Sequence, residues 1–182
     1  MREISLHIMD IAQNSISAGA KNIYIEVYEN INENILKITI IDDGKGIDSD
    51  ILDNVTDPFV TSRKTRKVGL GLSLFEAACK RCDGGLSVKS KLGEGTEVTA
   101  ILKYDHIDRA PIGRISDTIV SLILSGDIDI KYKHRVNDKI FEFDTKEIKK
   151  TVGDDIKEPE ILRWIKEYID EGIKNIDGGV WE

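Results

Sequence analysis

Two residues in the opening segment raise the chemical question. In "LHIMDIAQNSISAGAKN" (residues 6–22), Asp10 and Asn14 stand four apart, which puts a carboxylate and an amide one turn apart on one face of a helix. Asp and Asn are poor interior helix residues, because their short polar side chains compete for the backbone. The pair is either part of a solvated face or a set of oxygens held beside a phosphate or a metal, and this segment alone allows both. His7 shares the face, but one histidine without other ligand types is weak coordination chemistry, so a packed or polar-edge histidine is expected.

Two loops extend the question. "IDDGKGI" places Asp42 two positions before Gly44 and four before Gly46, at the end of a strand, where glycines admit a close approach to the backbone or simply make a tight turn. "KVGLGLSLF" puts Gly69 and Gly71 at the start of a helix, whose free N–H groups and dipole form an anion site. It lacks the Lys and Ser/Thr of a P-loop, and no Gly-x-Gly-x-x-Gly is present, so neither the Walker nor the dinucleotide reading holds. Cys79 and Cys82 form the only Cys-x-x-Cys. They lie near a helix C-terminus, where the dipole does not lower a thiol pKa, and two reduced, partly buried cysteines are expected.

The elements that must position these residues follow from periodicity. Ile4, Ile8, Ile11 and Ala12 form the apolar stripe of the first helix. "NIYIEVYEN" (Asn22 to Asn30) and "ILKITIIDDG" (Ile35 to Gly44) alternate as an antiparallel hairpin. A short helix near Ser49 to Asn54, a long loop with Pro58, the helix of "LGLSLFEAACKRC" and a second hairpin, "LSVKSKLGEGTEVTAILKY", complete residues 1–104. Residues 105–182 read as a small module with a short helix ("IGRISDTIVSLILSG"), a hairpin around Asn137-Asp138 and an amphipathic helix opened by Pro159. The predicted fold is α+β: a two-layer α/β sandwich with a mixed, mostly antiparallel sheet, plus this C-terminal α+β module.

Composition bounds the function. The chain has 182 residues, 40% hydrophobic and 32% charged, with a net charge of −7. Asp and Glu outnumber Lys and Arg by 15 to 13 in residues 1–104 and by 18 to 13 in residues 105–182. A nucleic-acid partner is therefore not expected, and the one basic run, Arg63, Lys64, Arg66 and Lys67, suits a small anion better. No leader and no apolar stretch near the roughly 20 residues that span a bilayer is visible, so a cytoplasmic protein without a membrane association is expected.

Taken in order, "DIAQNSISAGAKNIYIEV", "IDDGKGI", "PFVTSRKTRKVGLGL" and "LGEGTEV" resemble the Bergerat-fold (GHKL) ATP-binding superfamily, in its histidine-kinase-like ATPase form, over residues 1 to about 103. The resemblance implies ATP and Mg²⁺ as cofactors. It gives Asn14 the role of the Mg²⁺ ligand that bridges to the triphosphate, and Asp42 that of acceptor for the adenine amino group. Gly44 and Gly46 would leave room for the base, Ile47 would lie against its plane, and Thr96 would help hold the aspartate, the base and a water. Gly69, Leu70, Gly71 and Leu72 match the end of the ATP lid, where backbone amides meet phosphate, and Arg63 and Lys64 are lid cations able to reach it.

Asp10 departs from the resemblance. Hydrolysing relatives carry a glutamate there as general base, and sensor kinases commonly an asparagine. An aspartate keeps the basicity but withdraws the oxygen by one methylene, so it serves either as a base of shorter reach or as an outer partner of the Mg²⁺ shell. The expected function is ATP-Mg²⁺ binding by a stand-alone domain that acts as a slow ATPase or a nucleotide-dependent switch read by a regulatory protein partner. The alternatives are an anti-sigma-type serine kinase and a nucleotide-independent interaction protein. No two-helix dimerisation segment with a phosphoacceptor histidine precedes the first helix in this sequence, which weighs against autophosphorylation.

Overall fold

The computed structural model describes residues 2–57 and 68–177. The chain begins with α1 (Ile4–Ser17), the hairpin β1 (Asn22–Asn30) and β2 (Ile35–Asp42), and the single turn α2 (Ser49–Leu52). Next come α3 (Val68–Arg81) and the hairpin β3 (Gly85–Lys91) and β4 (Gly95–Lys103). The remainder is α4 (Ile115–Ser125), β5 (Asp129–Val136), β6 (Lys139–Asp144), α5 (Thr145–Val152), a 3-10 turn (Gly153–Lys157) and α6 (Pro159–Ile176).

The six strands form one sheet in the order β3-β4-β2-β1-β5-β6. Every neighbouring pair is antiparallel except β1 with β5, which is parallel from Asn22↔Asp129 to Glu29↔Val136. Alternation decides which face is dry. Ile23, Ile25 and Val27 of β1 and Leu36, Ile38 and Ile40 of β2 are buried, whereas Tyr24, Glu26, Tyr28 and Lys37 between them are not. The buried face meets Ile4, Ile8 and Ile11 of α1, Phe75 of α3, Ile119 and Leu122 of α4 and Ile165 and Ile169 of α6 in one core. Each such side chain contributes roughly 1.5–3 kcal/mol by leaving water. The result is the expected two-layer α+β sandwich with a mixed, mostly antiparallel sheet.

Residues 105–177 continue that sheet and core: β5 lies against β1, and α4 packs on α1 and α6. Two polar ties reinforce the seam. Asn137, at φ +50° in the β5–β6 turn, accepts through Oδ1 from the Ile31 backbone N–H at 2.9 Å. The buried Glu29 of β1 accepts at 2.6 Å from Nε2 of His134, whose Nδ1 lies 2.5 Å from the Tyr132 hydroxyl. A neutral imidazole satisfies both contacts, donating to Glu29 and accepting from Tyr132. Helix α5 was not expected from periodicity, since "TKEIKKTV" has few apolar positions. It is made by its ends: the Asp144 carboxylate accepts from the Lys146 backbone N–H at 2.9 Å, Glu147 stands in the first turn, and Lys149 and Lys150 in the last.

Candidate functional site

The C-terminal end of α1, the loop after β2, the start of α3 and the β3–β4 turn converge on one cavity of about 320 Å³. Its walls are largely apolar, supplied by Ile11, Ile47, Val55, Leu72 and Val98, with Asn14, Ser15, Asp42 and Thr96 as polar points. Dry walls with a few convergent polar groups are the usual form of a small-molecule site.

Asp42 ends β2 opposite Thr96 of β4. Its Oδ2 accepts from the Ser15 hydroxyl at 2.6 Å and its Oδ1 from the Gly44 backbone N–H at 2.9 Å. A carboxylate has about four lone-pair positions, so these bonds fix the group while leaving acceptor capacity toward the cavity. The adjacent Asp43 turns outward and accepts from the backbone N–H groups of Lys21 and Asn22 and from the Asn22 side chain. It ties the loop to the start of β1 and stays out of the cavity.

The glycines sit where a side chain would collide. A Cβ on Gly46, at φ +73°, would come within 2.1 Å of the Lys91 carbonyl oxygen, and one on Gly95, at φ +97°, within 1.9 Å of the Asp42 carbonyl oxygen. Gly44 sits against both Asp42 Oδ1 and Ala18. The loop is anchored by Lys45, whose backbone N–H donates to Ala18 at 2.9 Å and whose carbonyl accepts from Gly93 at 2.8 Å.

Gly71 brings α3 onto α1. A Cβ there would lie 3.3 Å from Asp10 Cβ and 3.9 Å from Asn14 Nδ2, so the first turn of α3 crosses directly over the carboxylate–amide pair. Asn14 lines the cavity, while Asp10, one turn earlier on α1, is exposed, and desolvation raises its carboxyl above the ordinary value. Leu72 reaches the cavity wall; Leu70 is exposed; Gly69 lies in the first turn of α3. Arg63 and Lys64 fall outside the described residues.

His7 is buried and stacks on Phe75 with ring centroids 4.6 Å apart, and burial lowers its pKa to about 4. Of the packed and polar-edge placements expected, it takes the packed one. Cys79 and Cys82 are free and buried, and burial pushes the Cys79 thiol up to about 12, so both are inert. Among the described residues no group of three His, Cys, Asp or Glu side chains is placed to hold a metal, and none of the helices is long and apolar enough to cross a membrane.

Two site residues were not singled out in the sequence. Ser15 holds Asp42, and its signal is a small polar residue one turn after Ile11 in an otherwise apolar stripe. Ser90 accepts from the Ile47 backbone N–H at 2.8 Å and lies 2.8 Å from the Thr96 hydroxyl. Its signal is parity, since Leu86, Val88 and Ser90 share the inward face of β3.

An α+β sandwich that holds a carboxylate at the base of an apolar cavity, with a helix N-terminus and an amide-bearing helix at its rim, defines a class of small-ligand sites suited to a base and a phosphate chain. Comparison with known proteins makes the class specific. The histidine kinase-, DNA gyrase B-, and HSP90-like ATPase family matches residues 2–106, and the chain belongs to that family of ATP-binding domains. A putative sensor protein of Shewanella frigidimarina is 30% identical over 109 residues, covering 59% of this chain and 16% of that protein. Sporulation kinase D of Bacillus subtilis is 30% identical over 95 residues, covering 52% of this chain and 19% of the kinase. The chain thus spans less than a fifth of the length of these relatives. The N-terminal domain of a DNA repair protein shares the fold at a TM-score of 0.55 and 16% identity, over 85% of this chain and 58% of that one. That likeness extends beyond residue 106 and so takes in part of the C-terminal elements.

Proposed function

We propose that the cavity takes the adenine of ATP, and that the protein works as an ATP-Mg²⁺-dependent switch with slow hydrolysis. The observation that supports this best is Asp42, held by Ser15 and Gly44 with acceptor capacity remaining toward an apolar cavity. In this reading Asp42 accepts from the adenine amino group, Ile47 covers the base, and Gly44 and Gly46 keep the loop close without blocking the cavity. The first turn of α3, from Gly69 to Leu72, offers backbone N–H groups to the phosphates.

The donor set also suits Mg²⁺, which takes few protein oxygens and completes its shell with phosphate and water. Asn14 would supply the protein oxygen, and the bound ion would neutralise charge on the triphosphate. Asp10, on the same helix face and under Gly71, would hold a water or take its proton. Its side chain is one methylene shorter than a glutamate, so proton abstraction is slow and the bound state persists. A regulatory protein partner then senses whether ATP is bound.

Calorimetry with ATP and with a non-hydrolysable analogue, each in Mg²⁺ and in chelator, tests this reading together with release of γ-labelled phosphate. The expected result is Mg²⁺-dependent binding of both nucleotides with turnover far slower than release. A folded protein that binds neither nucleotide would refute it.

A further inference from the structure

The proton arrangement around Ser90 carries a further consequence, which rests on the reading that the cavity takes a purine base. Ser90 Oγ has three partners: the Ile47 backbone N–H at 2.8 Å, the Gly95 carbonyl oxygen at 2.7 Å and the Thr96 hydroxyl at 2.8 Å. A carbonyl can only accept, so the single hydroxyl hydrogen of Ser90 goes to Gly95. Ile47 donates to Ser90, and the remaining contact needs a hydrogen that only Thr96 can supply. Ser90 is then saturated, with one bond donated and two accepted. The Thr96 hydrogen points into β3, away from the cavity that Thr96 lines.

Thr96 is also the register partner of Asp42. Both side chains therefore offer acceptors to the cavity, and neither offers a hydrogen. We infer that Ser90 is a positioning residue for base selectivity: acting through Thr96, it makes this edge of the cavity acceptor-only, matched to a purine with an amino group at C6 and closed to one with a carbonyl there. Adenine brings the N6 hydrogens that such an edge needs. Hypoxanthine can give its N1 hydrogen to Asp42, but its O6 then meets no hydroxyl donor and loses its water without replacement. An unpaired polar group of this kind is a strong basis for rejection.

The test uses the full chain and measures ATP and ITP affinities by calorimetry. The wild-type protein should prefer ATP. Ser90→Ala releases the Thr96 hydrogen to face O6, so ITP should bind more tightly while ATP changes little, narrowing the ATP:ITP ratio by roughly fivefold, about the worth of one hydrogen bond. Ser90→Thr restores the hydroxyl and should restore the ratio. Thr96→Val should weaken ATP and leave ITP unchanged, and adding Ser90→Ala to it should not move the ratio further. A folded Ser90→Ala protein with an unchanged ratio, or with equal losses for both nucleotides, would overturn the inference. So would a Thr96→Val protein that loses ITP affinity, because wild-type Thr96 would then be donating into the cavity; this arm decides the matter even if Ser90→Ala does not fold. Failure of the wild-type protein to bind ATP would instead remove the nucleotide reading itself.

Discussion

At the scale of single residues, the proposed function divides the site into groups that would meet the base and groups that would meet the phosphates, and substitutions should separate them. Asp42→Asn leaves the fold intact but replaces an acceptor oxygen by a donor, so ATP should bind more weakly by about 1.5–3 kcal/mol, roughly ten- to hundredfold, as read by calorimetry. Unchanged affinity would relocate the base. Asn14→Ala should weaken ATP in Mg²⁺ and much less in chelator; equal losses in both would point to damage to α1. If Asp10 takes a proton from water, Asp10→Asn should abolish phosphate release and preserve binding, while Asp10→Glu, with longer reach, should raise a low wild-type rate. The sequence made these three residues legible because each lies in a short local frame, one helical turn or one strand end. Ser15 holds Asp42 from 27 residues away and Ser90 holds the Ile47 backbone from 43 residues away, and no local pattern announces such pairs.

At the scale of elements, two packing contacts have measurable consequences. Gly95 at φ +97° presses on the Asp42 carbonyl, so Gly95→Ala strains its backbone and pushes β4 from β2 where the cavity is built. Urea unfolding should show a loss above about 1 kcal/mol, with nucleotide affinity falling in parallel. The second contact joins α1 to α3 through His7 and Phe75. Burial lowers the His7 pKa from 6.5 to about 4, so the unfolded chain binds a proton there that the native protein resists. The contribution is fully present above pH 6.5 and is lost progressively as the pH falls toward about 4. His7→Phe should keep the stack and flatten that part of the acid limb in a pH series of thermal melts. Helices and hairpins with clear periodicity were readable from the sequence, whereas α5 was not, because capping and end charges rather than an apolar stripe define it.

At the scale of the whole molecule, the parallel pairing of β1 with β5 governs the rest. The sequence indicated a hairpin in the C-terminal half but not where it would attach, since alternation specifies a face and not a neighbour. Pairing along β1 from Asn22 to Glu29 makes β5 a structural wall for the N-terminal strands. A chain cut after residue 104 should therefore expose the β1 edge and bare the side of α1 that α4 covers. Soluble expression and cooperative urea unfolding should both be impaired relative to the full chain. The Glu29–His134 contact gives a milder probe: His134→Ala removes one hydrogen bond from a buried carboxylate and should cost about 1.5–3 kcal/mol, read from the urea midpoint of the otherwise complete protein. The same parallel seam imposes an order on biosynthesis. Strand β1 leaves the ribosome about a hundred residues before β5, the strand that covers its edge. At about 5–20 residues per second, an unpaired and partly apolar edge persists for seconds on each nascent chain. Chaperone capture, or pairing between neighbouring chains on one message, competes with native closure during that interval.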